Sequence, residues 1–220
     1  MMGAMATKVE AVLWDVGGVF LPSPFSHLRA YADEVGVDPD ELLELVFGPY
    51  HQDTDHPWHR LERGQLAFDA ANTELIALAA AAGVEVDPLA VLMRMGGDGT
   101  KIVRDDVVDA AVAARAGGRR TAIITNNIAE FAEGWRGLFD RLDDMADVII
   151  DSSSVGLRKP DPAIFLLALE QLGGIAPERA VFLDDAPGNI AAAEALGITA
   201  ILVEDDYHPA LARLDEVLAG

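Results

Sequence analysis

Short apolar runs that stop at polar residues set the pattern of this chain. Val9–Trp14 runs into Asp15 and two glycines, Thr121–Ile124 into Thr125-Asn126-Asn127, Val148–Ile150 into Asp151 and three serines, and Val181–Leu183 into Asp184-Asp185. Each suits a buried strand followed by a tight turn. Thr199–Val203 supplies a further strand, and helical spacing runs through Asp105–Ala116, Pro162–Leu172 and Gly188–Leu196. Strands alternating with helices predict an α/β fold with a doubly wound, Rossmann-like parallel sheet. Ligands in that architecture sit outside the carboxyl ends of the strands, where these polar residues collect. One pocket can gather all of them.

Residues 22–97 follow a different pattern. Helical candidates fall at Phe25–Val35, Asp40–Val46, Gln65–Ala82 and Pro88–Met95, with no convincing strand among them. The segment reads as an all-helical cap inserted after the first strand, with Gly96-Gly97-Asp98-Gly99 as a flexible return. The core is then 1–21 and 98–220. Alanine-rich stretches such as Ala79–Ala82 and Ala191–Ala193 read as helix rather than as low-complexity disorder.

Charge narrows the partners. Lys and Arg total 16 against 37 Asp and Glu, a formal net charge of −21, so nucleic acid and anionic membrane surfaces are repelled. An anionic small molecule is still acceptable where a metal ion and local donors reverse the field at one spot. There is no cysteine, which excludes disulfides, thiolate metal sites and thiol nucleophiles. Met1–Lys8 lacks a long apolar run and a cleavage pattern, and no segment has the apolar length of a membrane span. The expectation is a soluble, cytoplasmic monomer or homodimer of 220 residues with a core of its own.

Four motifs then stand out in order: Trp14-Asp15-Val16-Gly17-Gly18-Val19, Ile124-Thr125-Asn126-Asn127, Arg158-Lys159-Pro160-Asp161-Pro162 and Phe182-Leu183-Asp184-Asp185-Ala186-Pro187-Gly188-Asn189. They resemble the four motifs of the haloacid dehalogenase-like superfamily, and the resemblance covers nearly the whole chain, including a helical cap after the first motif. Phosphatase-like members, among them the amino-terminal domain of soluble epoxide hydrolase and the domain preceding some acyl-CoA dehydrogenases, are the most similar. The resemblance implies that Asp15 attacks phosphorus to form an aspartyl phosphate, which splits one hard displacement into two easier ones. Thr125 and Asn126 are implied to contact the phosphoryl group, and Lys159 to pair with nucleophile and phosphate. Asp15, the Gly17 carbonyl, Asp185 and Asp184 are implied to hold Mg²⁺, with Asp185 the direct ligand and Asp184 either ligating or holding Lys159. Asn189 is implied to hydrogen-bond a metal-bound water.

The residues also admit plainer readings. A single Asp closing a strand forms turns, Thr and Asn cap helices, and an Asp pair before a helix suits its dipole. One departure matters more. Phosphatases of the superfamily carry a second Asp two residues after the nucleophile as general acid and base, and this chain has Gly17 there. Losing such a group lowers rate about 10²–10⁴-fold. Three functions follow from that departure. The first is a phosphatase acting on a small phosphorylated metabolite, with His51, His56 or His59 substituting for the acid or with acyl or anomeric phosphates that need none. The second is a weak or inactive phosphate- and metal-binding module. The third is a 2-haloacid dehalogenase, which needs no leaving-group acid but has no use for the Asp184-Asp185 pair. A cap metal site of Asp53, Asp55, His56 and His59 is a further candidate, although Pro57 interrupts the helix that would align the histidines. Trp58, Arg60 and Glu62 are expected to pack or to line the cap face towards the pocket.

Overall fold

A computed structural model of the protein describes residues 8–23, 28–88, 90–91 and 103–220. Five strands, β1 (Ala11–Trp14), β2 (Arg120–Thr125), β3 (Val148–Asp151), β4 (Ala180–Asp184) and β5 (Thr199–Leu202), form one parallel sheet in the order β3-β2-β1-β4-β5. All five apolar runs are strands. Their alternate residues feed two separate cores, as a period of two requires. Val12, Trp14, Ile123, Val181 and Leu183 share one cluster with helices Asp105–Ala116 and His208–Ala219. Ala11, Leu13, Ala122, Ile124 and Phe182 share the other with helices Pro162–Gln171 and Pro187–Ala195. Both faces of the sheet are covered, which is why the strands read as unbroken apolar runs. Each fully buried Leu, Ile or Phe stabilises this sandwich by roughly 1.5–3 kcal/mol.

The helix His208–Ala219 has no counterpart in the sequence reading. Ala210, Leu211, Leu214, Val217 and Leu218 nevertheless make a helical stripe that packs on the sheet, a signal the sequence carries.

Among the described residues between β1 and the helix Asp105–Ala116 are the helices α1 (Leu28–Val35), α2 (Pro39–Phe47), α3 (Pro57–Glu62) and α4 (Phe68–Ala81). They close on an apolar cluster of their own that includes Leu42, Phe47, Trp58, Leu61 and Leu75. Asp38 caps α2 by accepting from the amides of Asp40 and Glu41, with Pro39 in the first turn. Pro57 was expected to interrupt a helix and instead starts one. It has no amide to leave unpaired, and the His56 ring accepts from the Trp58 amide as the cap of α3. Residues 25–27 of the Phe25–Val35 candidate, 89 and 92–95 of the Pro88–Met95 candidate, and the Gly96-Gly97-Asp98-Gly99 return lie outside the described residues. No helix among the described residues is long and apolar enough to cross a membrane.

Candidate active site

Sheet register brings the acids together. Trp14 on β1 lies opposite Leu183 on β4, and the Asp15 amide donates to the Leu183 carbonyl at 2.9 Å. Asp15 and Asp184 therefore leave adjoining strands at the same level, with Asp185 one residue beyond. An oxygen from each of the three carboxylates lies within 4.8 Å of the other two. β2 flanks β1 on its other side with Trp14 opposite Ile123, so Thr125, buried at the end of β2, borders the same crevice.

Lys159 enters this trio from the loop before the helix Pro162–Gln171. Its Nζ donates to Asp15 Oδ1 at 2.6 Å and to Asp184 Oδ2 at 2.7 Å, and only 1% of the residue is exposed. The loop is built rigidly. Asp161 caps the helix by accepting from the Ala163 amide, and Pro162 occupies the first turn. Asn126 brackets the Lys159 backbone, accepting from its amide at 2.8 Å and donating to its carbonyl at 2.9 Å. The Asn126 side chain thus braces the lysine rather than facing open space.

Three carboxylates around one ammonium leave an excess of negative charge. Burial, reinforced by Asp184 and Asp185 and opposed by Lys159, raises the Asp15 carboxyl to about 8. Burial and the charge of Asp184 raise Asp185 to about 6, against a hydrogen bond from Ser23 and the charge of Lys159. Burial pulls the Lys159 ammonium down, but the carboxylates of Asp15 and Asp184 outweigh it and hold the group above its ordinary value. Carboxylates reluctant to ionise together make a site suited to a further cation.

The trio is not uniform. Asp184 Oδ1 accepts from the Ala186 amide at 2.8 Å and from Asn189 Nδ2 at 2.9 Å, while Oδ2 takes Lys159 and a second Asn189 contact at 3.1 Å. Both Asp184 oxygens are engaged by protein donors. Asn189, expected to hydrogen-bond a metal-bound water, donates its Nδ2 to Asp184, because the first turn of helix Pro187–Ala195 starts directly beside that carboxylate, while its buried Oδ1 has no partner among the described residues. Gly17 sits in the turn after Asp15, bridged to Leu21. Its neighbour Gly18 has φ +75°, and a Cβ there would overlap the Asp185 carboxylate, so glycine is required by conformation and space together.

The two buried cap histidines, His56 and His59, are poor proton donors. The His59 ring is fully buried, and its Nδ1 accepts from the Thr54 amide at 3.0 Å. Burial, with the charge of Arg158, pushes it down to about 3. Burial also lowers His56, whose ring caps α3. His51 is exposed beside Gly188. The cap metal site is not formed either. Asp53 pairs with Arg63 and lies 3.5 Å from Arg158, and among the described residues Asp15, Asp184 and Asp185 alone form a group arranged for a metal. Arg60 turns to Glu74 at 2.9 Å, and Trp58 packs edge-on against Phe47.

Sequence reasoning missed the role of Arg158, which is wholly buried and donates to Glu62 of α3 at 2.7 Å across 96 residues of chain. It also missed Asn127, whose amide donates to Asp151 at 2.9 Å and ties the end of β2 to the end of β3. Both residues lie inside the quoted motifs, so their position was the available signal. Their partners were not readable.

The sequence profile of the haloacid dehalogenase-like hydrolases matches residues 9–197. The mouse protein "Acyl-CoA dehydrogenase family member 10" is 29% identical over 211 residues, 95% of this chain but 19% of that protein. A "Phosphoglycolate phosphatase" of Colwellia psychrerythraea is 33% identical over 108 residues, 49% of this chain and 46% of that one. The chain thus spans under half the length of either relative. In shape it is similar to an alanine variant of a HAD family enzyme from Bacteroides thetaiotaomicron in complex with magnesium and inorganic phosphate, with a TM-score of 0.63 at 17% identity over 92% of this chain and 98% of that one.

Proposed function

The chain belongs to the haloacid dehalogenase-like hydrolase family, and on that premise we propose that it is a Mg²⁺-dependent phosphatase of a small phosphorylated metabolite, working through an aspartyl phosphate on Asp15. The observation that carries this reading is the buried trio of Asp15, Asp184 and Asp185 with Lys159 bonded to two of its members. Hard oxygen donors with excess negative charge fit Mg²⁺. Because Asp184 is engaged by Lys159, Ala186 and Asn189, the remaining Asp15 oxygen, Asp185 and the Gly17 carbonyl are the groups to hold it. When bound, the ion supplies charge neutralisation and polarisation of a phosphoryl oxygen.

A carboxylate oxygen of Asp15 attacks phosphorus, and the bond to the leaving oxygen breaks with its electron pair. Lys159 offsets the charge of Asp15 and of the phosphoryl oxygens, so that two anions can meet. Thr125, with the backbone at the end of β2, is placed to donate to the transferring group. Water then attacks the aspartyl phosphate, releasing phosphate and restoring Asp15. With glycine at position 17 and burial pulling His56 and His59 toward the neutral form, neither of these histidines is a ready proton donor to the leaving oxygen. The substrates favoured are therefore acyl or anomeric phosphates, whose leaving groups depart with little protonation.

Gly17 also supports a second reading, a module that binds magnesium and phosphorylated ligands with little turnover. Dehalogenation is disfavoured, because displacement of halide has no use for the third carboxylate. A Mg²⁺-dependent screen over acyl, sugar and nucleotide phosphates, with Asp15→Asn as control, tests the assignment. Turnover that persists in Asp15→Asn would overturn the nucleophile, and none in the parent but some in Gly17→Asp would favour the binding module.

A further inference from the structure

Adjacent residues of one dipeptide reach into two different parts of the molecule. Lys159 sends its ammonium into the acid trio. Arg158 sends its guanidinium into the helical segment, where Nε donates to Glu62 Oε2 at 2.7 Å with side-chain exposures of 0% and 3%. Arg158 Nη1 has only longer contacts, to the Gln52 carbonyl at 3.4 Å and to Asp53 at 3.5 Å. Nη2 is buried with no acceptor among the described residues. Glu62 is therefore the main counter-charge of a fully desolvated cation.

We propose that Glu62 and Arg158 are positioning residues: their buried ion pair makes the seating of α3 a condition for holding Lys159 between Asp15 and Asp184. This rests on the reading of Lys159 as the cation that serves Asp15. The backbone between the two side chains is short; Asn126 braces it at the Lys159 amide and carbonyl, and the Arg158 carbonyl accepts from the Asp161 amide at 2.9 Å. Without Glu62 the guanidinium must move toward water or another acceptor, and it carries the Lys159 peptide with it. Other contacts place α3 and its neighbours close to the same loops. Gly64, just past α3, packs on the Ser153 carbonyl with no room for a Cβ, and a Cβ on Gly188 would come within 2.7 Å of His51 Cα. These fix where the segment rests, whereas the Glu62–Arg158 pair connects that position to the catalytic lysine.

The test compares Glu62→Gln, Glu62→Asp and Leu214→Ala with the parent. Leu214 is buried under the sheet and serves as a control for general destabilisation. Two quantities are measured: kcat and KM for acetyl phosphate with Mg²⁺, and amide hydrogen exchange at Lys159. Glu62→Gln is expected to lower kcat ~10-fold with KM changed less than ~3-fold, and to speed Lys159 amide exchange ~10-fold. Glu62→Asp keeps the charge and is expected to recover part of both, and it carries the comparison if Glu62→Gln does not fold. Unchanged Lys159 exchange in the Glu62 variants, or an equal kcat loss in Leu214→Ala at matched stability, would overturn the proposal. If the parent does not turn over acetyl phosphate, the catalytic reading fails separately and the exchange comparison still decides the coupling.

Discussion

Replacing Lys159 with Met removes the ammonium bonded to Asp15 and Asp184 while keeping an unbranched side chain of similar length. Asp15 Oδ1 at 2.6 Å and Asp184 Oδ2 at 2.7 Å lose their shared donor in a site where Lys159 is 1% exposed. Removing one partner of a buried ion pair destabilises by about 3–5 kcal/mol, a large part of the roughly 5–15 kcal/mol that holds a domain folded. The deficit depends on pH. With Asp15 at about 8 in the folded chain against an ordinary 3.8, the folded state binds more protons than the unfolded one between those values, so stability falls as pH rises through that window. Lys159 opposes this rise, and its loss moves the Asp15 value further up and extends the fall to higher pH. Urea unfolding without metal should therefore show a Lys159→Met deficit that is larger at about pH 9 than at about pH 7, where Asp15 is protonated in the folded state of parent and variant alike. Added Mg²⁺ should recover part of it, since a ligand at about a hundred times its dissociation constant stabilises by about 2.7 kcal/mol. An equal deficit at both pH values, or one untouched by Mg²⁺, would refute the account of the trio as a charge-strained cation site.

Asp15→Asn is expected to abolish any phosphoenzyme, detected by acid-stable labelling, and yet to unfold at a higher urea concentration than the parent at about pH 8 without metal. That advantage should shrink to little near about pH 4, close to the ordinary value at which the unfolded carboxyl also takes up a proton. Gly17→Asp should raise hydrolysis of alkyl phosphate esters by up to about 10²–10⁴-fold, with less than about tenfold on acetyl phosphate, because only the poorer leaving group needs the proton. Steady-state rates on the two substrates check it, and equal gains on both would contradict the missing-acid argument. Gly188→Ala puts a methyl 2.7 Å from His51 Cα and 2.9 Å from the Tyr50 carbonyl oxygen, both backbone atoms that cannot swing aside. It should destabilise by about 1–3 kcal/mol, read as a lower urea midpoint at unchanged slope.

The sequence by itself determined the sheet and the polar residues that gather at its carboxyl end. A strand buried on both faces must be apolar throughout, so Val12–Trp14, Ile123–Ile124 and Val181–Leu183 announce themselves, and the polar residue that ends each run lands where a parallel sheet opens its crevice. The fold decided everything that depends on meeting across distance. Sheet order put β1 between β2 and β4, and that adjacency set Asp15 beside Asp184 and Lys159 between them. It turned Asn189 toward Asp184 and Asn126 toward the Lys159 backbone, because a side-chain amide bonds to whatever donor or acceptor packing brings within reach. It also drew His56 into the cap of α3 and His59 into a bond from the Thr54 amide, since buried imidazoles close to Arg158 disfavour the charged form. Glu62 and Arg158 show the same limit most clearly. A charge pair 96 residues apart has no local period or spacing to betray it, and it exists only where the helical segment and the sheet exclude water from both partners at once.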